Sequence, residues 1–332
     1  MSIVRTSFVD IYYRGFNITA DIAKDLISFS YTDNEPKKAD KITLTLQDSK
    51  RKWLNNWRPE KGDTIQAAIV TNNWRYVGDT QRLECGTFKV DAVNHSGWPT
   101  TVQIEAVSLD PLSSFRSNAK HRTWTEILLS DLAGQIAVAN GFTLYFDSTI
   151  DPFVTKDEQA NQSDSNYLAK LASRYGLSMK TNNSQIVMYS TEDYDNKNAV
   201  IDFDINDMLS FEVEDAAVDT YDGVRVVYYN PKTQNKIDYT FKPGDKKKVK
   251  RINTPVFSER EAEQIARAEY VRINKGEILL QFTVPGNVLA AVGVNANITG
   301  FAQRDGKYSI EKVDHSLAPY TTKIVMKRTV SI

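Results

Sequence analysis

Two histidines stand in matching contexts that could support nucleophilic chemistry. His95 and His315 are each followed by a serine and preceded by Asn94 or Asp314. A serine and a histidine can act as nucleophile and general base, but acyl transfer also needs a third residue that orients the histidine and an oxyanion site. The sequence beside either histidine supplies neither group. We therefore interpret both imidazoles as structural groups that satisfy polar atoms at a turn.

Acidic residues are the second candidate for chemistry. Glycoside cleavage requires two carboxyl groups about 5–10 Å apart. Asp91, Glu105, Asp202 and Asp204 are the acidic residues considered for such a pair. A chain with 42 acidic residues contains pairs of this kind by chance, and no segment resembles a lysozyme domain. We therefore predict that the chain has no catalytic residues and is not an enzyme.

The composition also argues against a metal or cofactor site. Three histidines and one cysteine cannot build a Cys/His zinc cluster. Asp33, Glu35 and Asp40 do not follow the spacing of a calcium-binding loop, and the sequence has no glycine-rich phosphate loop. We expect no metal and no cofactor. Cys85 has no second cysteine to pair with and is expected to be an inert thiol.

Charge and hydropathy restrict the partners of the chain. A net charge of −1 argues against a protein whose main work is to hold nucleic acid. The sequence has no apolar stretch long enough to cross a membrane, and its first residues lack the apolar core of a signal peptide. We expect no membrane association, and synthesis and folding in a reducing cytoplasm.

One basic run, residues 245–251, could contact a polyanion or an acidic partner. It follows a Pro-Gly pair, which also fits the tip or edge of a hairpin. Lysines at such an edge keep it solvated and prevent unwanted strand pairing. We favour the edge interpretation, and contact with a partner stays open for five residues: Lys246, Lys247, Lys248, Lys250 and Arg251.

A gapless repeat links the two ends of the chain. Residues 86–104 align with residues 306–324, and seven of the 19 paired positions are identical, where ordinary composition would give about one. The repeat predicts superposable hairpins at 86–107 and 306–327 in two related β-modules. The residues expected to shape them are Gly86, Phe88, Val90, His95 and Pro99 in the first copy and Gly306, Tyr308, Ile310, His315 and Pro319 in the second.

Local patterns predict where helices interrupt the strands. Thr123–Glu126 and Ser258–Glu261 have the spacing of capping boxes and predict helices that begin there. Another helix is predicted to begin at Ser163 or Asp164 and to end at Gly176. The segment 49–57 is expected to be a short helix that lays tryptophans on the first module.

These patterns predict a β-rich α+β fold with two related β-barrel modules flanking a small middle domain. The expected bounds are 1–111 for the first β-barrel module and 112–200 for the α+β middle domain. The second β-barrel module is expected at 201–332, with one added helix near 259–273.

Four segments also share their order and character with one known family. They are residues 59–63 before a strand, residues 86–91 before a Trp-Pro turn, residues 162–176, and residues 306–315 near the end of the sequence. In this order they resemble the phage late control protein D family, the baseplate hub proteins of contractile tails. That family is related to the N-terminal hub part of type VI secretion spike proteins.

The resemblance implies a homotrimeric ring of six barrels that adapts a six-fold tail tube to a three-fold central spike. It implies as partners the tail tube protein, the spike protein and other baseplate proteins, with the tape measure protein as a further candidate. Nucleic acid would at most pass through the channel. The implied location is the baseplate of a virion or related particle, assembled in the bacterial host cytoplasm. The alternative function is a binding module whose barrels grip nucleic acid or cell-wall glycan, and cell-wall hydrolysis is the weakest hypothesis.

Overall fold

The computed structural model describes residues 4–36, 38–108, 113–181, 185–215, 220–231, 233–244, 248–275 and 277–330. Strands dominate this part of the chain and a few helices lie between them, so the β-rich α+β class is confirmed. The expected domain boundary at residue 111 falls between residues 108 and 113, outside the described residues.

Residues 4–108 form a run of strands that we call the first module. Its elements are β1 (Thr6–Tyr13), β2 (Phe16–Asn17), α1 (Thr19–Ile22), β3 (Leu26–Asp33), β4 (Lys41–Gln47), β5 (Thr64–Asn72), β6 (Thr80–Ser96) and β7 (Thr101–Val107). In β4, Ile42, Leu44 and Leu46 are buried, and the threonines between them are half-buried. Successive side chains of a strand point to opposite faces, so this alternation places one face of β4 in the core.

Residues 113–200, the middle segment, combine helices with short sheets. The elements are α2 (Ser114–Ser117), β8 (Ala119–Leu128), α3 (Leu129–Ala139), β9 (Thr143–Asp147), β10 (Phe153–Ser163), α4 (Asp164–Arg174), β11 (Leu177–Thr181), β12 (Gln185–Ser190) and α5 (Thr191–Asn196). β12 pairs with β11 and β9, while β8 and β10 form a two-stranded ribbon. The apolar stripes of α3 and α4 meet in one core, which holds Leu132, Ile136, Leu168 and Leu171.

Residues 201–330 contain the remaining strands and the longest helix of the described chain. The elements are β13 (Ile201–Asp204), β14 (Ser210–Asp215), β15 (Gly223–Tyr229), β16 (Lys236–Phe241), β17 (Val249–Asn253), α6 (Glu259–Asn274), β18 (Ile278–Pro285), β19 (Asn295–Thr299), β20 (Gly306–Leu317) and β21 (Thr321–Arg328). β15, β16 and β17 form their own sheet. Val224, Val226 and Ile265 of this sheet and of α6 lie in the core of the middle segment. We call β13, β14 and β18–β21 the second module.

Thirteen strands of the described chain hydrogen-bond into one sheet. Its first-module part runs β3–β4–β7–β6–β5–β1, and its second-module part runs β14–β18–β21–β20–β19–β13. The two orders match strand by strand, and the predicted hairpins are the pairs β6–β7 and β20–β21. Each hairpin has a bulge at the same repeat position, Asp91 or Glu311. The modules differ at their last strand, because β1 is antiparallel to β5 whereas β13 is parallel to β19.

The strand pairing differs from the expected pair of closed barrels. The C-terminal part of β20 pairs antiparallel with β3, from Val313 opposite Asp33 to Leu317 opposite Phe29. This pairing joins the two sets of strands into one continuous sheet. No local sequence pattern indicates it, because it connects residues that are far apart along the chain.

The helix starts show where local capping patterns are decisive. The side chains of Ser163 and Ser258 accept hydrogen bonds from the backbone N–H groups of Asn166 and Glu261, so α4 and α6 begin where the sequence predicts. The helix start predicted at Thr123–Glu126 is wrong, although the helix itself is present as α3 and ends at Ala139, before the predicted Asn140-Gly141 stop. Residues 123–126 belong to β8, which pairs with β10, and α3 begins at Leu129 without a side-chain cap.

A second helix prediction also fails. The residues around Trp53, from 49 to 57, form consecutive turns and not a helix. Trp53 nevertheless lies buried in the core of the first module, as expected for this segment, and Trp57 contacts its ring edge-on at 5.6 Å.

Candidate functional site: the module junction and the open strand edges

The repeat residues occupy matching positions in the two hairpins. Phe88 and Val90 are fully buried in the first module, and Tyr308 and Ile310 are buried in the second. Gly86 and Gly306 have φ values of +108° and +145°, which L side chains rarely adopt. Pro99 and Pro319 are exposed at the hairpin turns.

His315 lies at the junction between the two modules. Its ring is fully buried and stacks on Tyr31 of β3 at 5.8 Å between centroids. Nδ1 lies 3.2 Å from the hydroxyl of Tyr320 and 3.3 Å from that of Thr322. Burial lowers the pKa of His315 to about 4, so the ring is neutral at pH 7. A neutral imidazole held by two hydroxyl groups fits a structural role.

His95 has a different environment despite its matching position. It is exposed and lines a groove of about 460 Å³ with Val93, Arg58 and Lys61. Asp91 also lines this groove, and no serine is among its described lining residues. The sequence predicts one structural role for both histidines, yet this chain buries one of them and exposes the other.

The turn of the β20–β21 hairpin enters the core of the first module. Leu317 and Tyr320 pack there, and Trp74, from the loop between β5 and β6, contacts the Tyr320 ring at 5.2 Å. The Trp74 indole N–H donates to the backbone carbonyl of Gly286. A Cβ on Gly286 would lie 2.0 Å from the Tyr320 ring, so no other residue fits without repacking.

Ion pairs with buried or half-buried members tie the middle segment to both modules. Lys180 of β11 pairs with Asp33 of the first module and, at 3.3 Å, with Asp40. Burial acts to lower the pKa of Lys180, but the two carboxylates outweigh it and the pKa is raised. Burial raises the pKa of Asp40 to about 6. Asp33 also accepts a 2.7 Å hydrogen bond from the backbone N–H of Val292, which adds the second module to this network.

A second buried lysine holds the end of α6. Lys275 lies 2.8 Å from Asp195 of α5 and 2.9 Å from Glu311, the bulge residue of β20. It borders a cleft of about 750 Å³ between the middle segment, α6 and the second module. Both lysines act across element boundaries, and a charged residue of this kind is stable in a buried site because it is paired.

The segment with the strongest family likeness contains a buried aspartate that sequence reasoning missed. Asp164, the first residue of α4, is fully buried. It accepts hydrogen bonds from Lys120 at 2.6 Å, from Asn140 at 2.8 Å and from Gln159 at 2.9 Å, and it also pairs with Arg122. An Asp directly after a capping serine is a usable signal for a helix start, but its partners are set by the packing of β8, β10 and α3.

The described part of the basic run lies along β17, an edge strand of its sheet. Lys248 and Lys250 lie over the Tyr221 ring at 4.6 and 5.9 Å, and Lys250 also pairs with Glu269 at 2.9 Å. Arg251 is exposed. The edge position agrees with the favoured interpretation. The candidates Lys246 and Lys247 lie outside the described residues.

Each of the acidic residues considered for catalysis has a cationic or hydrogen-bond-donating partner of its own. Asp91 and Glu105 pair with Lys61 at 3.5 Å and with Lys41 at 2.6 Å. Asp202 and Asp204 of β13 accept hydrogen bonds from Asn297 and Thr299, both at 2.8 Å.

Two further features of the described residues concern the kind of site. Among these residues, no group of three or more His, Cys, Asp or Glu is placed to hold a metal ion. No helix in the described ranges has the length and apolarity needed to cross a membrane. Cys85 is buried in β6, and burial raises the pKa of its thiol.

The chain matches two curated proteins. It is 27% identical over 164 residues to the probable baseplate hub protein of Escherichia phage 186 and 28% identical over 162 residues to that of Escherichia phage P2. The matches cover 49% and 48% of this chain. They span 40% and 39% of the two relatives, so the whole relatives are much longer than the matched part. No family model matches the chain.

The fold extends this likeness over nearly the whole chain. A tail protein from Neisseria meningitidis MC58 superposes with a TM-score of 0.71 at 12% identity, covering 97% of this chain and 96% of that one. The resemblance to phage baseplate hub proteins is confirmed. The E. coli c3393 protein, described as a type VI secretion component with structural similarity to the T4 tail proteins gp27 and gp5, gives 0.58 at 10% identity. This superposition covers 92% of this chain and 74% of the c3393 chain. At these identities the structural likeness shows a shared fold.

Proposed function

We propose that this chain is the baseplate hub of a contractile phage tail or of a phage-tail-like particle. Three copies form a ring on the tail axis, and the ring adapts the six-fold tail tube to the three-fold central spike. The observation that carries this proposal is the matching strand order of the two modules in a chain related to phage hub proteins. Duplication lets three chains present six similar units to a six-fold partner.

The ring acts by geometry and without catalysis. One face meets the tail tube protein and the other receives the spike protein, while other baseplate proteins contact the outside of the ring. The tape measure protein is a further candidate partner, on the inner side of the ring. The chain is located in the baseplate of the particle and is assembled with it in the host cytoplasm. The middle segment occurs once in each chain and so breaks the six-fold likeness of the modules, and the ion pairs of Lys180 and Lys275 hold it against them.

Electron microscopy of the particle tests this proposal. A small folded tag fused after residue 330 should appear at the end of the tail tube, around the tail axis, in three copies. The same particle without the tag is the control for the position of the density. Density away from the tube axis, or six copies of the tag, would contradict the proposal.

A further inference from the structure

The continuous sheet has one open edge in each module. β14 pairs with β18 on one side, and no described strand pairs with its other side. Along Val93–Ser96, β6 pairs with β7 on one side, and on the other side it meets no strand of the described ranges. Unpaired edges present rows of N–H and C=O groups that can bind a further strand.

The first open edge belongs to a strand that has a counterpart within the chain. Ile104 and Ile324 are matching residues of the repeat. Ile104 pairs with Leu44 of β4, and Leu44 pairs with Phe29 of β3. In the same way, Ile324 pairs with Phe282 of β18, and Phe282 pairs with Phe211 of β14. β14 is therefore the counterpart of β3. The counterparts along β3 and β14 are Phe29 and Phe211, Ser30 and Glu212, Tyr31 and Val213, Thr32 and Glu214, and Asp33 and Asp215.

The second open edge is the place that β3 covers in the other module. β3 pairs with Val313–Leu317 at the end of β20 and buries Val313, His315 and Leu317. The matching residues at the end of β6 lack this cover. Val93 is half-buried, and the residues from Asn94 to Gly97 are exposed.

We propose that β14 of one copy of this chain pairs antiparallel with the end of β6 in a second copy, as β3 pairs with β20 inside each chain. The internal pairing fixes the register of this contact. The predicted opposite residues are Val93 and Asp215, Asn94 and Glu214, His95 and Val213, Ser96 and Glu212, and Gly97 and Phe211.

The two edges have complementary charge. β14 carries Glu212, Glu214 and Asp215, and all three are exposed. The groove beside β6 is lined by the exposed Arg58 and Lys61 and by Asp91, which pairs with Lys61, so its described lining carries a net positive charge. Pairing in the proposed register brings the acidic strand to the basic rim, and opposite charges across such a contact favour the correct partner.

The two edges also carry exposed apolar groups. Leu209 and Phe211 are 62% and 53% exposed at β14, and Trp98 is 79% exposed at the turn after β6. Within the chain, Leu317 and Tyr320 of the matching β20–β21 turn pack in the core of the first module. The proposed contact places the Trp98 turn of one copy beside Phe211 of the next, so both apolar groups leave water.

The contact is head-to-tail, so each copy uses both of its edges with different neighbours. A closed ring then leaves no copy with an open edge. The register follows from the internal pairing, and the number of copies rests on the trimer of the proposed function.

Cysteine cross-linking of the full chain tests the register. A double variant Ser96→Cys with Glu212→Cys places thiols on opposite residues, whose Cα atoms would lie about 4.5–5.5 Å apart, within reach of a disulfide. The purified chain is concentrated and oxidised by air with copper phenanthroline as catalyst. We expect reductant-sensitive oligomers on denaturing gels. The matched control is Ser96→Cys with Glu214→Cys, which shifts one thiol by two residues and should cross-link several-fold less. Each single variant, with the buried Cys85 retained, gives the background.

The possible outcomes distinguish a failure of this contact from a failure of the proposed trimeric ring. Preferential cross-linking of the matched pair supports the register, and the native mass of the linked species then counts the copies independently. A linked species that is not trimeric supports the register and contradicts the trimer. Equal cross-linking of both pairs, or none in either the concentrated chain or the assembled particle, overturns the register, even where the chain is trimeric.

Discussion

His315 is held by burial and by two hydroxyl groups, whereas its copy His95 is exposed beside a basic groove. We therefore expect the same side chain at the same repeat position to have two different effects on stability. The difference arises from β3, which covers one repeat and leaves the other open. Sequence comparison identifies both histidines as members of a repeat, but burial depends on a strand pairing that the repeat itself does not contain.

The first prediction compares His315→Asn with His95→Asn. At pH 8, His315→Asn should lower the free energy of unfolding by about 1 kcal/mol or more through lost hydrogen bonds. The native pKa of about 4 lies below the unfolded value near 6.5. Protonation therefore favours the unfolded wild type as pH falls through this window. The stability of the wild type relative to the variant should fall by roughly 2 kcal/mol between pH 8 and 5, so an advantage of about 1 kcal/mol at pH 8 becomes a deficit at pH 5.

Urea unfolding of the unassembled chain at several pH values measures this effect. His95→Asn is the control and should change the free energy of unfolding by less than about 0.5 kcal/mol at each pH, because its ring is exposed. A His315→Asn effect that does not vary with pH would show that the buried ring is not held neutral.

The elements were predictable where the signal is local. Ser163 and Ser258 cap α4 and α6, because a serine followed by free backbone N–H groups is enough to start a helix. Thr123–Glu126 has a similar pattern and forms part of a strand, since Trp124 pairs with Asp157 of β10. Tertiary pairing outweighs a capping preference of about 1 kcal/mol. The β3–β20 pairing has no local signal, so neither the junction nor the two open edges could be derived from the sequence.

The second prediction concerns the ion pairs between elements. Lys275→Met should lower the free energy of unfolding by about 3–5 kcal/mol, because it leaves Asp195 and Glu311 close together and without their shared cation. The control is Lys236→Met; the Lys236 side chain is 59% exposed and pairs with Asp238 at 2.9 Å. Exposed pairs contribute little, so this control should change stability by less than about 1 kcal/mol. Chemical denaturation measures both, and equal effects would show that Lys275 does not fasten α6.

At the scale of the whole molecule, duplication explains why one chain can have both an internal junction and an external one. Each module offers the same strand order, so the contact that joins β3 to β20 can recur between copies with β14 and β6. The sequence shows the repeat, through seven identical positions of 19, but not the strand pairing that forms the junction. The β3–β20 pairing within the chain is therefore the pattern for the proposed β14–β6 contact between copies.

The last prediction separates local charge complementarity from net charge in this assembly. Glu212→Lys places a cation on the strand that faces Arg58 and Lys61 of the next copy, so self-association should weaken by on the order of tenfold at low salt. Glu158→Lys is the matched control: it makes the same change in net charge at an exposed residue of β10.

Sedimentation at about 50 mM and 500 mM salt should show the Glu212 effect shrinking at high salt, because screening shortens the reach of exposed charges. The double variant Glu212→Lys with Arg58→Glu should recover part of the association. Equal weakening by Glu212→Lys and Glu158→Lys would mean that repulsion depends on net charge alone, and that β14 does not meet the basic groove.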